Sequence, residues 1–126
     1  MVAFNFQERF ADKVASGEKP STIRSTMRCK IGDSIQLYTG QRTKECRKLG
    51  EGVCVGVAEI TIGLADGTPW AISGRIGEVF HHSRLSQQEG FKNEMEMVDF
   101  FRQRYGLPFT GYLHAWELKE TRDDEQ

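Results

Sequence analysis

The sequence predicts an α+β fold, a curved sheet with helices at its rim, and three features lead to it. Apolar residues recur every four positions near the start of the chain, at Phe6, Phe10 and Val14, as one face of a helix does. In the middle and at the end they alternate, as half-buried strands do. Gly-containing turns separate these stretches. No internal repeat or low-complexity segment interrupts the pattern.

The first helix is expected to stop at Gly17, a residue suited to a left-handed cap, before Lys19. Pro20 then favours an extended path. Thr22 and Ile23 continue it as a short strand with side chains on opposite faces. Gly32-Asp33 reads as a turn, and Ile35, Leu37 and Thr39 alternate with Gln36 and Tyr38 as the next strand. Residues 40–52 are polar, basic and bounded by glycine, so a loop is expected there. A long strand follows from Val53 to Leu64. Val53, Val55 and Val57 share one parity and Ala58, Ile60 and Ile62 the other, which asks for a bulge near Gly56 to Ala58. Closed or strongly curved barrels need such a device. Asp66-Gly67 is a hairpin signal, and Ile72 to Phe80 is a weaker strand. Ser83 or Ser86 is placed to cap a short helix that ends at Gly90. Asn93 and Glu96 form a capping pair for a longer helix, with Met97, Val98, Phe101 and Tyr105 on one face and Gly106 and Pro108 as its stop. A closing strand runs through Tyr112, His114, Trp116 and Leu118, with Trp116 in the core.

The chain has 126 residues, 38% hydrophobic and 28% charged. That is one domain of ordinary globular balance. Residues 4–119 are assigned to it, and 120–126 to a charged tail expected not to pack. No apolar run approaches the roughly 18 residues of a membrane span. The segment Met1 to Glu8 does not read as a signal peptide, so a cytoplasmic location is expected. The cysteines are Cys29, Cys46 and Cys54, without a CxxC spacing, and reduced thiols are expected. His81, His82 and His114 have no cysteine at metal spacing, so neither a metal nor another cofactor is expected. The net charge of −1 conceals an asymmetry. Residues 13–50 hold nine basic and three acidic side chains, a balance of +6, whereas the end of the chain from Glu117 stands at −3. A positive face suits an anionic partner.

The stretch Gly17-Glu18-Lys19-Pro20-Ser21-Thr22-Ile23-Arg24 resembles the signature of the ASCH family: glycine, any, lysine, two any, threonine, any, arginine. Ile31-Gly32-Asp33-Ser34-Ile35 and Leu37-Tyr38-Thr39-Gly40-Gln41-Arg42-Thr43 resemble that family's turn, strand and basic loop. Gln88-Glu89-Gly90-Phe91 looks like its acidic position ahead of a later helix. Phe100 to Gly106 and Gly111-Tyr112-Leu113 continue the likeness, which spans Phe6 to Leu118. The resemblance implies a PUA-like β-barrel with flanking helices and a cleft beside the signature. It also implies a link to RNA or to modified nucleosides. Some small bacterial members are amidohydrolases that remove the acyl group of N4-acetylcytidine. Carried over by motif, their reactive set is Lys19, Thr22 and Glu89, with Arg24 beside it. The Gly40 to Gly50 loop is longer than compact members need.

Amide cleavage needs a nucleophile, a proton acceptor, an oxyanion stabiliser and a donor to the leaving nitrogen. Thr22 supplies a hydroxyl. A lysine at its ordinary pKa is neutral in only roughly one molecule in 2,500 at pH 7, so Lys19 acts as a base only after a shift of about three units. Burial and Arg24 push it that way, and Glu89 pushes it back. Either Glu89 shares the proton and relays it to the leaving amine, or Lys19 stays charged and steadies the oxyanion while Glu89 is the base. Arg24 is a candidate substrate-binding residue, Arg42, Thr43 and Lys44 are candidates for contact with phosphate or ribose, and Tyr38 and Phe91 for stacking on a pyrimidine. Each residue alone has a plainer reading. Thr22 is a strand former, Lys19 a solvated turn charge, Glu89 the partner of Ser86 in a capping box, and Arg24 a partner of Asp33. The expected activity is therefore hydrolysis of N4-acylated cytidine, with RNA binding without chemistry as the alternative. A ribonuclease is weaker, because adjacent His81 and His82 point apart on a strand.

Overall fold

The computed structural model describes residues 2–73 and 82–119. The elements run β1 (Val2–Phe6), α1 (Glu8–Ser16), β2 (Ser21–Arg24), β3 (Ser34–Thr39), β4 (Arg47–Ala65), β5 (Thr68–Ser73), α2 (His82–Gln88), α3 (Glu94–Tyr105) and β6 (Phe109–Leu118). The fold is α+β. The strands form one sheet in the order β1-β3-β4-β6-β2, with β5 added to β4. The β1–β3 pair is parallel and every other pair is antiparallel. Strand β4 holds the sheet together: its first part pairs with β3 and its second with β5, and β6 runs along it from Gly52 to Ile62.

The expected closed barrel is not formed, since no ladder joins β1 to β2 among the described residues. Side chains occupy the gap. Arg24 Nη2 donates to the β1 carbonyl of Asn5 at 3.0 Å, and Arg28 Nη2 donates to that of Ala3 at 2.9 Å. Both guanidiniums also lie 5.1 Å from the Phe4 ring centroid. Two β1 acceptors are thus satisfied by arginine where a barrel would supply a strand.

Phe6 belongs to β1, not to the helix that its spacing to Phe10 and Val14 suggests. Phe4 and Phe6 are buried around exposed Asn5, a period of two that meets the helical period at the β1–α1 junction. Helix α1 buries Phe10, Ala11 and Val14 and ends as expected at Gly17, whose φ of 91° is left-handed. The loop expected over 40–52 is shorter: from Arg47 onward the chain is already β4, paired with β3. The bulge lies between Cys54 and Gly56 opposite β6, slightly ahead of its expected place. Asp66 and Gly67 both have positive φ in the β4–β5 hairpin, as the sequence signal requires. Ser86 lies inside α2 and is not its cap. Asn93 Oδ1 accepts from Glu96 N at 2.9 Å, and Glu96 Oε1 accepts in turn from Lys92 N at 2.8 Å, so the capping pair forms one residue out of its usual register. The later part of the strand expected over Ile72 to Phe80, His81 and the tail 120–126 lie outside the described residues.

The core sits between the sheet and the helices. Phe4, Ile35, Leu37, Ile60 and Ile62 come from the strands, Val14 from α1, and Met97, Val98 and Phe101 from α3. Trp116 joins it, as its place on the last strand suggested. Cys29 and Cys54 are buried free thiols with sulfurs 3.4 Å apart. Burial, and then the Cys54 thiol, push Cys29 up to about 12, so it stays protonated. Among the described residues no helix is long and apolar enough to cross a membrane.

Candidate functional site

The turn after α1 aims two consecutive motif positions into one cleft. Lys19 N closes the turn on Lys13 O at 2.9 Å, and Trp116 N donates to Pro20 O at 3.0 Å, which fixes the entry to β2. Strand β2 is itself fixed by β6, with Ser21 opposite Ala115 and Thr22 opposite His114. The opposite wall begins at the end of α2. There Gly90, with φ of 95°, turns the chain so that Glu89 and Phe91 come against α1. A Cβ on Gly90 would stand 2.9 Å from the Phe10 ring and 3.3 Å from Lys19 Cδ. Only glycine fits this approach.

The cleft has a volume of about 110 Å³. Lys19, Thr22, Arg24, Glu89 and Phe91 all line it, together with Asn5, Gln7, Phe10, Arg104 and Tyr105. That volume is below the roughly 300 Å³ at which sites for whole drug-sized ligands begin, so it suits one planar ring with the rest of a ligand at the mouth.

Lys19 and Glu89 form a buried ion pair, 4% and 2% exposed. Lys19 Nζ donates to Glu89 Oε1 at 3.1 Å and to Ser21 O at 2.9 Å. Glu89 Oε2 accepts from Ser21 Oγ, which in turn accepts from Gln88 Nε2 at 2.9 Å. Gln88 therefore commits the single Ser21 proton to Glu89. Burial is the largest influence on Lys19 and lowers its pKa from 10.5. Glu89 raises it, less strongly, and Arg24 lowers it further. A neutral amine has two protons and one lone pair. Two of the Lys19 N–H groups are matched by Glu89 and Ser21 O, so its third position, a proton in the ammonium and the lone pair in the amine, remains for the cleft.

Thr22 Oγ1 accepts from Arg24 Nε at 3.0 Å. Its own proton has no acceptor among these contacts. Arg24 is half-buried; burial first, and then the charge of Arg28, lower it to about 10, so it is a cation at neutral pH. It does not pair with Asp33, whose carboxylate accepts from Lys30 N at 2.9 Å. Below the cleft, His114 Nε2 accepts from Arg28 N at 2.9 Å, so the neutral ring carries its proton on Nδ1. Nδ1 is buried and meets no acceptor at full hydrogen-bonding geometry among the described residues, although the Thr22 backbone lies close enough to favour the charged ring. Burial lowers the His114 pKa.

The other four candidates, Tyr38, Arg42, Thr43 and Lys44, stand apart from this cleft. Tyr38 is half-buried on β3 and donates to Gln36 Oε1 at 2.8 Å. Arg42 and Thr43 lie in the exposed 40–46 loop, where Thr43 Oγ1 donates to Gly40 O at 2.6 Å. None of the four lines the cleft. Four residues near the reactive set were not marked as site residues in the sequence: Ser21, Gln88, Arg104 and Tyr105. Ser21 sits at a free position of the signature. Tyr105 was assigned to the buried face of its helix, yet it is 47% exposed and lies over Phe109 with centroids 4.6 Å apart.

Compared with family models, with curated proteins and with solved structures, the chain finds no match.

Proposed function

We propose that the chain is a cytoplasmic amidohydrolase of the ASCH type, built on an opened PUA-like sheet, that cleaves the exocyclic amide of N4-acetylcytidine or a related N4-acylated cytidine. The observation that carries this reading is the buried Lys19–Glu89 pair beside the Thr22 hydroxyl in one aromatic-walled cleft. A lysine held below its ordinary pKa, with both amine protons engaged, has its lone pair left for a neighbouring hydroxyl.

In this reading Thr22 Oγ1 attacks the acyl carbon and its proton passes to Lys19. The tetrahedral oxyanion is steadied by nearby Arg24. Collapse breaks the bond to N4, and the Lys19 ammonium returns the proton to that nitrogen, so cytidine leaves. Glu89 holds the charged form of Lys19 between these transfers and serves as proton relay. Water then hydrolyses the Thr22 ester with Lys19 again as base, and a carboxylate leaves. Phe91, packed edge-on to Phe10 at 5.4 Å, and exposed Tyr105 supply ring surfaces for the pyrimidine. Buried Lys19 and the lack of an Asp33 partner for Arg24 count against the plainer readings of those residues.

The test is the ultraviolet change that follows N4-acetylcytidine hydrolysis, for the wild type and Thr22→Ala. Turnover by the wild type and its loss in the variant support the reading. No wild-type turnover with any of several acyl groups overturns it. The alternative, an RNA-binding module without chemistry, draws on the excess positive charge along the cleft. It predicts RNA affinity that falls steeply with salt and no turnover.

A further inference from the structure

The charges that line the cleft do not balance. Among the described residues that line it, Lys19, Arg24 and Arg104 are basic and Glu89 is the only acid. Glu89 is fully engaged, with Oε1 on Lys19 and Oε2 on Ser21. Neither Arg24 nor Arg104 forms an ion pair among the described residues. Arg24 gives two of its five N–H groups, to Thr22 Oγ1 and Asn5 O, both uncharged acceptors. Arg104 comes from the last turn of α3, with its guanidinium 5.1 Å from the Phe100 centroid. Helix-end complementarity accounts for Arg102, which pairs with Asp99 on the same helix; Arg104 turns to the cleft without such a partner. Arg28 stands close enough to Arg24 to disfavour its charge. Like charges gathered around a half-enclosed, aromatic-walled space are costly unless an anion joins them. The amide chemistry uses Lys19 and the Thr22 side of Arg24, and asks nothing of Arg104.

We propose that Arg104 and the free edge of Arg24 form an anion subsite that takes a phosphate of the substrate, so that the cleft accepts an acylated cytidine nucleotide in preference to the nucleoside. This rests on the cytidine amidohydrolase reading for the base, but not for the anion. Guanidiniums from two elements present forked donors that match several phosphate oxygens. Tyr105, next to Arg104 in sequence, offers its exposed ring to the base between them. The phosphate has two sources, a free nucleotide or a residue within an RNA chain.

The experiment is calorimetric titration of the full chain with cytidine, cytidine 5′-monophosphate, a short oligocytidylate and inorganic phosphate, at low and at physiological salt. The expected result is that the monophosphate binds about tenfold more tightly than cytidine at low salt, with the advantage shrinking as salt rises. Arg104→Gln removes most of that advantage, and Arg102→Gln, outside the cleft, leaves it in place. An oligocytidylate that outbinds the monophosphate assigns the phosphate to RNA; the reverse assigns it to a free nucleotide. If only inorganic phosphate binds, and Arg104→Gln abolishes it, the anion subsite stands and the cytidine reading falls. Equal affinity for cytidine and its monophosphate, an advantage that survives Arg104→Gln, or no anion binding at all overturns the proposal.

Discussion

The cleft beside β2 and the loop after β3 were both marked by the sequence as places of function, and they use charge in opposite ways. In the loop, Arg42, Thr43 and Lys44 are exposed, and the Thr43 hydroxyl turns back on its own backbone. In the cleft, Lys19 and Glu89 are withdrawn from water and matched to each other and to Ser21. Even the ion pair at the end of the loop, Arg47 with Glu8 at 3.0 Å, is open to solvent. An exposed pair contributes little to stability, because water and salt screen it. A buried pair is unforgiving, because losing either member strands the other charge. The difference teaches where altered proton affinity arises here: burial drives the Lys19 shift.

Five substitutions break or sharpen that contrast. The largest effect is expected on chemistry. Thr22→Ala lowers turnover of N4-acetylcytidine at least about 1,000-fold, as loss of a nucleophile does. Circular dichroism should show the fold intact. Next comes Glu89→Ala, which leaves the Lys19 charge buried and unpaired. It is expected to destabilise the chain by about 3–5 kcal/mol in urea unfolding. A loss below about 1 kcal/mol would mean that Glu89 does not hold the pair. Third, His114 is buried with its pKa lowered from 6.5. Below pH 6.5 the unfolded chain binds the proton more readily than the folded one, so stability falls as pH drops from 6.5 towards the folded value. Urea midpoints from pH 7.5 to 5 should follow this fall, and His114→Gln should flatten it. The smallest effect belongs to the loop: Arg42→Ala and Lys44→Ala should each change stability by no more than about 0.5 kcal/mol. Turnover should stay at the wild-type level, and a large loss there would reassign the loop to the site.

Much of the fold was legible because it rests on local periodicity. The alternation of β3, the parity switch in β4, the Asp66-Gly67 turn and the Asn93–Glu96 cap each state their geometry within a few residues. Strand β1 was hidden, because Phe6 fits both the strand before it and the helix after it. The early start of β4 was hidden too: polar, basic residues on a strand look like a loop until β3 pairs with them. The open edge between β1 and β2 depends on where Arg24 and Arg28 reach, which no spacing reveals. The site divides in the same way. Lys19, Thr22 and Arg24 are close in sequence and were read as a unit by resemblance. Glu89, 70 residues beyond Lys19, entered only through that resemblance. Ser21, Gln88, Arg104 and Tyr105 join the cleft or its hydrogen bonds through tertiary packing alone.

The central claim is that Thr22 takes the acyl group with Lys19 as its base. Its most direct test is to stop the wild type in the act, by acid quench during turnover of N4-acetylcytidine, and to map the protein by mass spectrometry. The account predicts one added acetyl group on Thr22, absent from Thr22→Ala. It also predicts that the adduct forms faster as pH rises and levels off below 10.5, the ordinary lysine value, as the lowered Lys19 deprotonates. Turnover with no adduct on Thr22, or an adduct that persists in Thr22→Ala, would contradict it.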